Sequence, residues 1–395
     1  MKKLITFVAI LISITTFAQP KLSVLEQEGT NFFKERNNIN AIASFEKALV
    51  QSPNSLYSIN ALTTLYHNVK EEQKAYDMAD KGMKLSGNAA NFVYAKARAA
   101  TFLNNAKDAL SIIENYSAKN MADYMLLFVK GNAYNQLNDK QQAITAYSQS
   151  ITANPEFFNS YFERAKVFED LQRYPQAIKD YEKCALLDKE NADVYNSLGI
   201  VFYKIGNLDD ALINYNKCIA LEPRQSFALA NRGVLYQDKN LIDKAIADFE
   251  TSININPNDG NTYFEYAHSL RKTKNYVKAA EMINKALALK PNRALFYIAK
   301  SSIYNGLDKY EDAMVAADKA VELEPKNPEG FLLKAVTYYN QGKFNDALIT
   351  ATNGIAIQPN NYYLLFSERA FIYRKLNNIA AANADDAKAK EIASK

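Results

Sequence analysis

The chain has no tryptophan, only two cysteines and only two histidines in 395 residues. Metal centres draw heavily on His and Cys at close spacing. Here His67 and His268 lie 201 residues apart, with no His/Cys cluster near either one. No glycine-rich phosphate loop, GxSxG elbow or HExxH helix is present. Carboxylates are plentiful, but nothing in their spacing places two of them in one pocket. Together these absences argue against an enzyme, and no cofactor or metal is expected. Glycine (12) and proline (10) are also sparse, and no Pro/Gly/Ser-rich linker or low-complexity tract divides the chain. Neither sign of charge dominates, with 47 basic and 43 acidic side chains. That balance lacks the basic stripe that nucleic-acid binding requires.

The one long apolar run is at the start. Lys2 and Lys3 precede an apolar stretch from Leu4 to Phe17, and Thr16, Phe17 and Ala18 fit the usual cleavage positions. The run is shorter than the roughly 20 residues of a membrane-spanning helix. Residues 1–18 therefore read as a cleavable signal peptide, with residues 19–395 as the folded part. The expectation is export to the periplasm, the cell surface or the medium. No cysteine near the cleavage point offers a lipid anchor.

What the chain does have is a period. From Ala192 to Gln225, Tyr195, Leu198, Gly199 and Phe202 form the stripe of an amphipathic helix. Gly206 and Asn207 break it, and Asp209 and Asp210 suit the positive end of a second helix. Ala211, Tyr215, Cys218 and Leu221 lie on one face of that helix, and Pro223 stops it. Prolines at 53, 155, 223, 257, 291, 325 and 359 are all separated by multiples of 34. Alanine recurs ten times at that spacing, from Ala41 and Ala75 through to Ala347. A fixed period of 34 with two helices per period signals a solenoid of helical hairpins.

The pattern of Tyr195, Leu198, Gly199, Phe202, Ala211, Tyr215 and Pro223 resembles the tetratricopeptide-repeat (TPR) family. It recurs at Leu127, Gly131, Tyr134, Ala143, Tyr147 and Pro155, and again at Gly233, Tyr236, Ala245, Phe249 and Pro257. Tyr, Phe, Leu and Ile stand where the family often has Trp. The resemblance implies an all-α, right-handed superhelical solenoid of about eleven helix-turn-helix repeats. They start near 22, 56, 90, 124, 158, 192, 226, 260, 294, 328 and 362, and the last fits better with a one-residue slip. The second and third repeats are weak: Thr63 replaces a small residue, and Gly87 and Met121 replace proline. Irregular stacking is expected between Ser86 and Asp123. Pro175 falls at a tolerated place in the first turn of a helix. The charged last helix reads as the polar cap that a solenoid needs.

Cys184 and Cys218 occupy one repeat position. Equivalent points on neighbouring hairpins lie roughly 8–10 Å apart, beyond disulfide reach. Both read as buried thiols.

The resemblance also implies that residues at fixed positions of each first helix line a concave face. The candidate partner-binding residues there are Tyr94, Phe128, Phe162, Lys166, Tyr203, Phe264, His268 and Arg271. Some family members clamp a chaperone's C-terminal carboxylate through Lys and Asn in this groove. Here those positions read Asn196, Ile200, Asn231, Asn261 and Glu265, so the clamp is not formed. The expectation is a non-catalytic protein-interaction scaffold that holds a peptide segment or protein domain in the groove. The alternative is a structural subunit peripheral to an envelope or outer-membrane complex, acting through its edges and ends.

Overall fold

The structure, a computed structural model, describes residues 22–117, 123–358 and 362–394, and every regular element among them is an α-helix. The expected signal segment lies outside the described residues, as do Met121 and Pro359. None of the described helices is long and apolar enough to cross a membrane.

The chain forms two compact units, Met1–Glu190 and Asn191–Lys395. The first holds five hairpins: α1 (Val24–Lys34) with α2 (Asn38–Gln51), α3 (Leu56–Asn68) with α4 (Glu72–Ser86), α5 (Ala90–Phe102) with α6 (Ala106–Ser117), α7 (Tyr124–Gln136) with α8 (Lys140–Ala153), and α9 (Phe158–Asp170) with α10 (Tyr174–Leu187). The second holds six: α11 (Ala192–Lys204) with α12 (Leu208–Leu221), α13 (Ser226–Asp238) with α14 (Ile242–Ile255), α15 (Gly260–Lys272) with α16 (Tyr276–Leu289), α17 (Ala294–Asn305) with α18 (Tyr310–Leu323), α19 (Pro328–Asn340) with α20 (Phe344–Ile357), and α21 (Tyr363–Lys375) with α22 (Ile379–Ala393). The fold class is all-α, a repeat solenoid of hairpins.

One turn serves every hairpin. Arg36, Lys70, Asn104, Asn138 and Gln172 in the first unit have left-handed backbones, with φ between 56° and 63°. Gly206, Asn240, Lys274, Asp308, Gly342 and Asn377 do the same in the second, with φ between 55° and 78°. The residue after each donates its amide back five residues, as Asn37 does to Phe32 and Asn207 to Phe202, both at 2.9 Å. This closes the first helix in a Schellman turn. In several hairpins the same residue's side chain then caps the second helix, as Asn207 accepts from the Asp210 amide and Asp139 from Gln142, whereas Glu71, Arg173, Leu241, Lys309 and Lys343 make no such bond. Ending one helix and starting the next on adjacent residues fixes the angle of the hairpin.

Packing within the hairpin follows from that angle. The rings of Phe45, Tyr147, Tyr215 and Phe249 sit over Gly29, Gly131, Gly199 and Gly233. A Cβ added at these glycines would lie 2.8, 2.4, 2.5 and 2.6 Å from the ring. All four rings are buried, as are the ten period-34 alanines from Ala41 to Ala347. A second interlock uses charge. Arg164–Asp180, Arg232–Asp248 and Arg369–Asp385 are two-pronged pairs at 2.7 and 2.8 Å, each joining residues 16 apart across a hairpin. Removing one partner of so shielded a pair costs about 3–5 kcal/mol.

The weak second repeat keeps its helices by other means. Thr63 is buried and donates its hydroxyl to the Ile59 carbonyl at 2.8 Å. Helix α4 has no proline stop and ends on the left-handed Gly87 (φ 66°), followed by Asn88 (φ 70°). Gly82 makes room for the Phe92 ring, which lies where its Cβ would be. The tight small-residue seat has moved from the first helix to the second. Pro175 stands in the first turn of α10.

Cys184 and Cys218 are each free and buried. Burial, reinforced by nearby carboxylates, pushes their thiols up to about 12 and about 11, so both stay protonated at neutral pH.

Gly199→Ala tests the ring seat. Alanine improves helix propensity by about 1 kcal/mol, while overpacking costs about 1–3 kcal/mol. The expected net result is a lower urea midpoint. An unchanged or raised midpoint would show that Tyr215 does not need the space.

Candidate binding face

The eight residues expected to face a partner divide between the units. Tyr94, Phe128, Phe162 and Lys166 belong to the first, and Tyr203, Phe264, His268 and Arg271 to the second. In the first unit Tyr94 (α5) and Phe128 (α7) are half-buried against one core cluster that includes Val93, Ala97, Leu126 and Val129. Phe128 meets Phe157 edge-on at 5.4 Å and Tyr147 at 5.9 Å. Phe162 (α9) stacks on Phe158 at 5.7 Å and meets Tyr181 at 5.6 Å. Lys166 is exposed, lies 5.9 Å from the Phe162 ring centre and pairs with Glu163 at 2.9 Å. These three rings are therefore braced on one side by the fold and partly open on the other.

In the second unit the Tyr203 hydroxyl donates to Asp238 on the next first helix. Phe264 stacks on Phe296 with ring centres 4.8 Å apart. His268 is half-buried. Burial, then the charges of Arg271 and Lys272, lower its pKa to about 4, so it is neutral at physiological pH. Burial pushes Glu329 of α19 up, while the field of Arg271 pulls it back.

Several features of this face go beyond the sequence reading, which named Asn196 and Asn231 only as clamp positions. Polar rungs tie successive first helices: Asn91 donates to Asn60 at 3.0 Å, Gln136 to the Thr101 carbonyl at 2.7 Å, Asn231 to Asn196 at 3.2 Å and Gln237 to Ser269 at 2.8 Å. Their only signal in the sequence is a recurring separation of 31 to 35 residues, which many unrelated polar pairs share. Phe227 and Leu295, at the second position of α13 and α17, are 57% and 44% exposed. The carboxyl of Glu368 on α21 is driven up to about 7 by burial alone.

Models of the tetratricopeptide repeat match residues 126–157, 192–225, 228–259, 260–293 and 294–327, and a TPR-repeat model matches 167–206. No curated protein matches the chain. Solved structures similar to it include a tetratricopeptide repeat protein from Parabacteroides merdae, with 17% identity over 63% of this chain and 98% of that one, at a TM-score of 0.49. Yeast Tom70 shows 16% identity over 93% of this chain and 96% of its own, at 0.43. YrrB, a TPR protein with an unusual peptide-binding site, shows 21% identity over 47% of this chain and 95% of its own, also at 0.43.

His268 and Glu368 predict opposite pH slopes. The folded pKa of His268 is depressed from 6.5 to about 4, so the unfolded chain binds more protons and stability is lost as pH falls through that window. For Glu368 the folded pKa is raised from 4.5 to about 7, so its contribution is lost as pH rises through that window. The melting temperature of His268→Gln relative to the parent should rise from pH 6.5 to 4, and that of Glu368→Gln should rise from pH 4.5 to 7. A flat difference in either series would remove that group from the buried face.

Proposed function

We propose that this chain, whose matched segments are tetratricopeptide repeats, is an exported, non-catalytic scaffold that holds a peptide segment or a protein domain against its first-helix face. Repeats of this family generally mediate protein–protein interaction, and that coarser role follows from the matched models. The observation that carries the finer reading is the series Tyr94, Phe128 and Phe162. Three successive first helices present a ring at one register position, supported from beneath and partly open above. Stacking alone does not demand rings there, because the same position is Asn196 in the sixth hairpin and Ala230 in the seventh. Aromatic side chains braced in this way lose little conformational freedom on binding, which favours them as anchors.

Export rests on the pattern of Lys2, Lys3, the apolar run and Ala18. It implies a partner in the cell envelope or outside the cell. Purified material should begin at Gln19 by N-terminal sequencing; an intact Met1 would argue against processing. The binding reading is tested by capture from envelope extract, comparing the mature chain with a Tyr94/Phe128/Phe162→Ala triple variant. A partner held by the parent and lost by the variant, with helical circular dichroism unchanged, is the expected result. Equal capture by both would move the interaction to the edges and ends, as for a structural subunit of an envelope assembly.

A further inference from the structure

In the first unit, four side chains from three helices hold one another beside an open cavity. Glu72, at the start of α4, lies 2.8 Å from Nδ1 of His67 at the end of α3. The Nδ1 proton is donated to this carboxylate, which leaves Nε2 as an acceptor, and Arg98 of α5 donates to it. The His67 ring meets Phe102 edge-on at 4.8 Å, and the Arg98 guanidinium lies 5.8 Å from the centre of the same ring. Burial and Arg98 lower the His67 pKa, against the opposing pull of Glu72. The imidazole is thus a neutral spacer between a carboxylate and a guanidinium.

Two consequences follow. The Glu72 carboxylate is turned toward His67, and neither Arg98 nor Lys70 forms an ion pair among the described residues. Arg98 commits one prong of its fork to His67 and also meets the Tyr94 hydroxyl, and its five N–H donors exceed these two contacts. The cavity beside it measures about 440 Å³ and is lined by His67, Asn68, Lys70, Glu72, Arg98 and Phe102. That volume falls in the range of about 300–1,000 Å³ typical of ligand sites.

The repeat itself supplies the control. Phe102 takes the thirteenth position of its hairpin, where the other hairpins carry polar or charged residues such as Gln136, Asp170 and Lys204, or glycine at 306. Folding of the hairpin does not require an aromatic there, and the Phe102 side chain is 60% exposed. An exposed ring beside two cations that lack a carboxylate partner is a surface suited to an amphipathic anion.

We propose that this cavity binds a carboxylate carried next to an apolar side chain on a peptide, with Arg98 and Lys70 meeting the charge and Phe102 packing on the apolar neighbour. The two cations and Glu72 leave one net positive charge, which matches a carboxylate better than a dianionic phosphate. The inference rests on the reading of the chain as a peptide-binding scaffold and names one chemical feature of what it holds. An acidic side chain within a segment and a free C-terminus both present this group.

The chain has 26 tyrosines but no tryptophan, so a tryptophan in the ligand, excited at the red edge where tyrosine does not absorb, fluoresces without background. Three probes are titrated against the mature chain: acetyl-Gly-Asp-Trp-Gly-amide, its Asn counterpart, and acetyl-Gly-Gly-Trp with a free C-terminus. At least one carboxylate probe should bind about tenfold more tightly than the Asn peptide, as expected for one charge-assisted contact. The tighter of the two identifies the source of the carboxylate. Arg98→Gln should reduce the preference to less than about twofold. Phe102→Ser and Lys70→Gln, both at exposed positions, test the same point should Arg98→Gln disturb the helices, and each should weaken binding of the preferred probe. No preference over the Asn peptide, or a preference that survives all three variants, would overturn the proposal. If the probes fail while envelope capture still depends on the aromatic series, the carboxylate assignment alone falls.

Discussion

A helical hairpin has two faces on each helix and only one partner helix of its own. In the hairpins of Gly29, Gly131, Gly199 and Gly233 the governing contact is the ring of the second helix seated on a glycine of the first, while the buried period-34 alanine serves all but the last hairpin. Tyr215 over Gly199 and Phe249 over Gly233 bring the two backbones closer than any side chain between them would permit. The Schellman turn holds the helices at the angle this seat requires, and the turn residue keeps its left-handed backbone even where it is Arg, Lys or Gln. Such conformations cost non-glycine residues roughly 1–2 kcal/mol. They persist because the returning amide bond depends on them, and in hairpins such as that of Asn37 the cap of the next helix does too.

Once the hairpin is closed, its remaining apolar surface is covered by the next hairpin, and stability within each unit is shared among neighbours. The buried Arg–Asp pairs at Arg164, Arg232 and Arg369 stiffen individual hairpins without adding apolar surface. The first-helix face is what stacking leaves over. There the side chains answer to two demands, bracing the neighbouring helix and meeting whatever docks, and the rings of Phe128 and Phe162 show the first demand in their edge-on and stacked contacts.

Much of the fold was legible because a period of 34 repeats the same physical problem many times, and the buried alanines from Ala41 to Ala347 solve it in the same way each time. The turn was less legible. Glycine marks it only at Gly206 and Gly342, and the other left-handed positions carry no local signal beyond their place in the period. The binding face was legible as positions but not as contacts. Tyr203 and Phe264 were visible as surface candidates, yet the Asp238 and Phe296 that they meet lie on neighbouring first helices. The cluster of Glu72, His67, Arg98 and Phe102 joins residues up to 35 apart in sequence, each ordinary on its own.

The sequence by itself determined the element type, the hairpin unit, the buried small residues and the thiol state of the two cysteines. These depend on contacts inside a single period, where spacing along the chain maps directly onto spacing in space. Tertiary structure decided which polar side chains pair across hairpins, which carboxylates are desolvated, and which cations are left without a carboxylate partner. Those outcomes depend on how one hairpin lies on the next, and a few ångströms of approach separate an ion pair from a free charge.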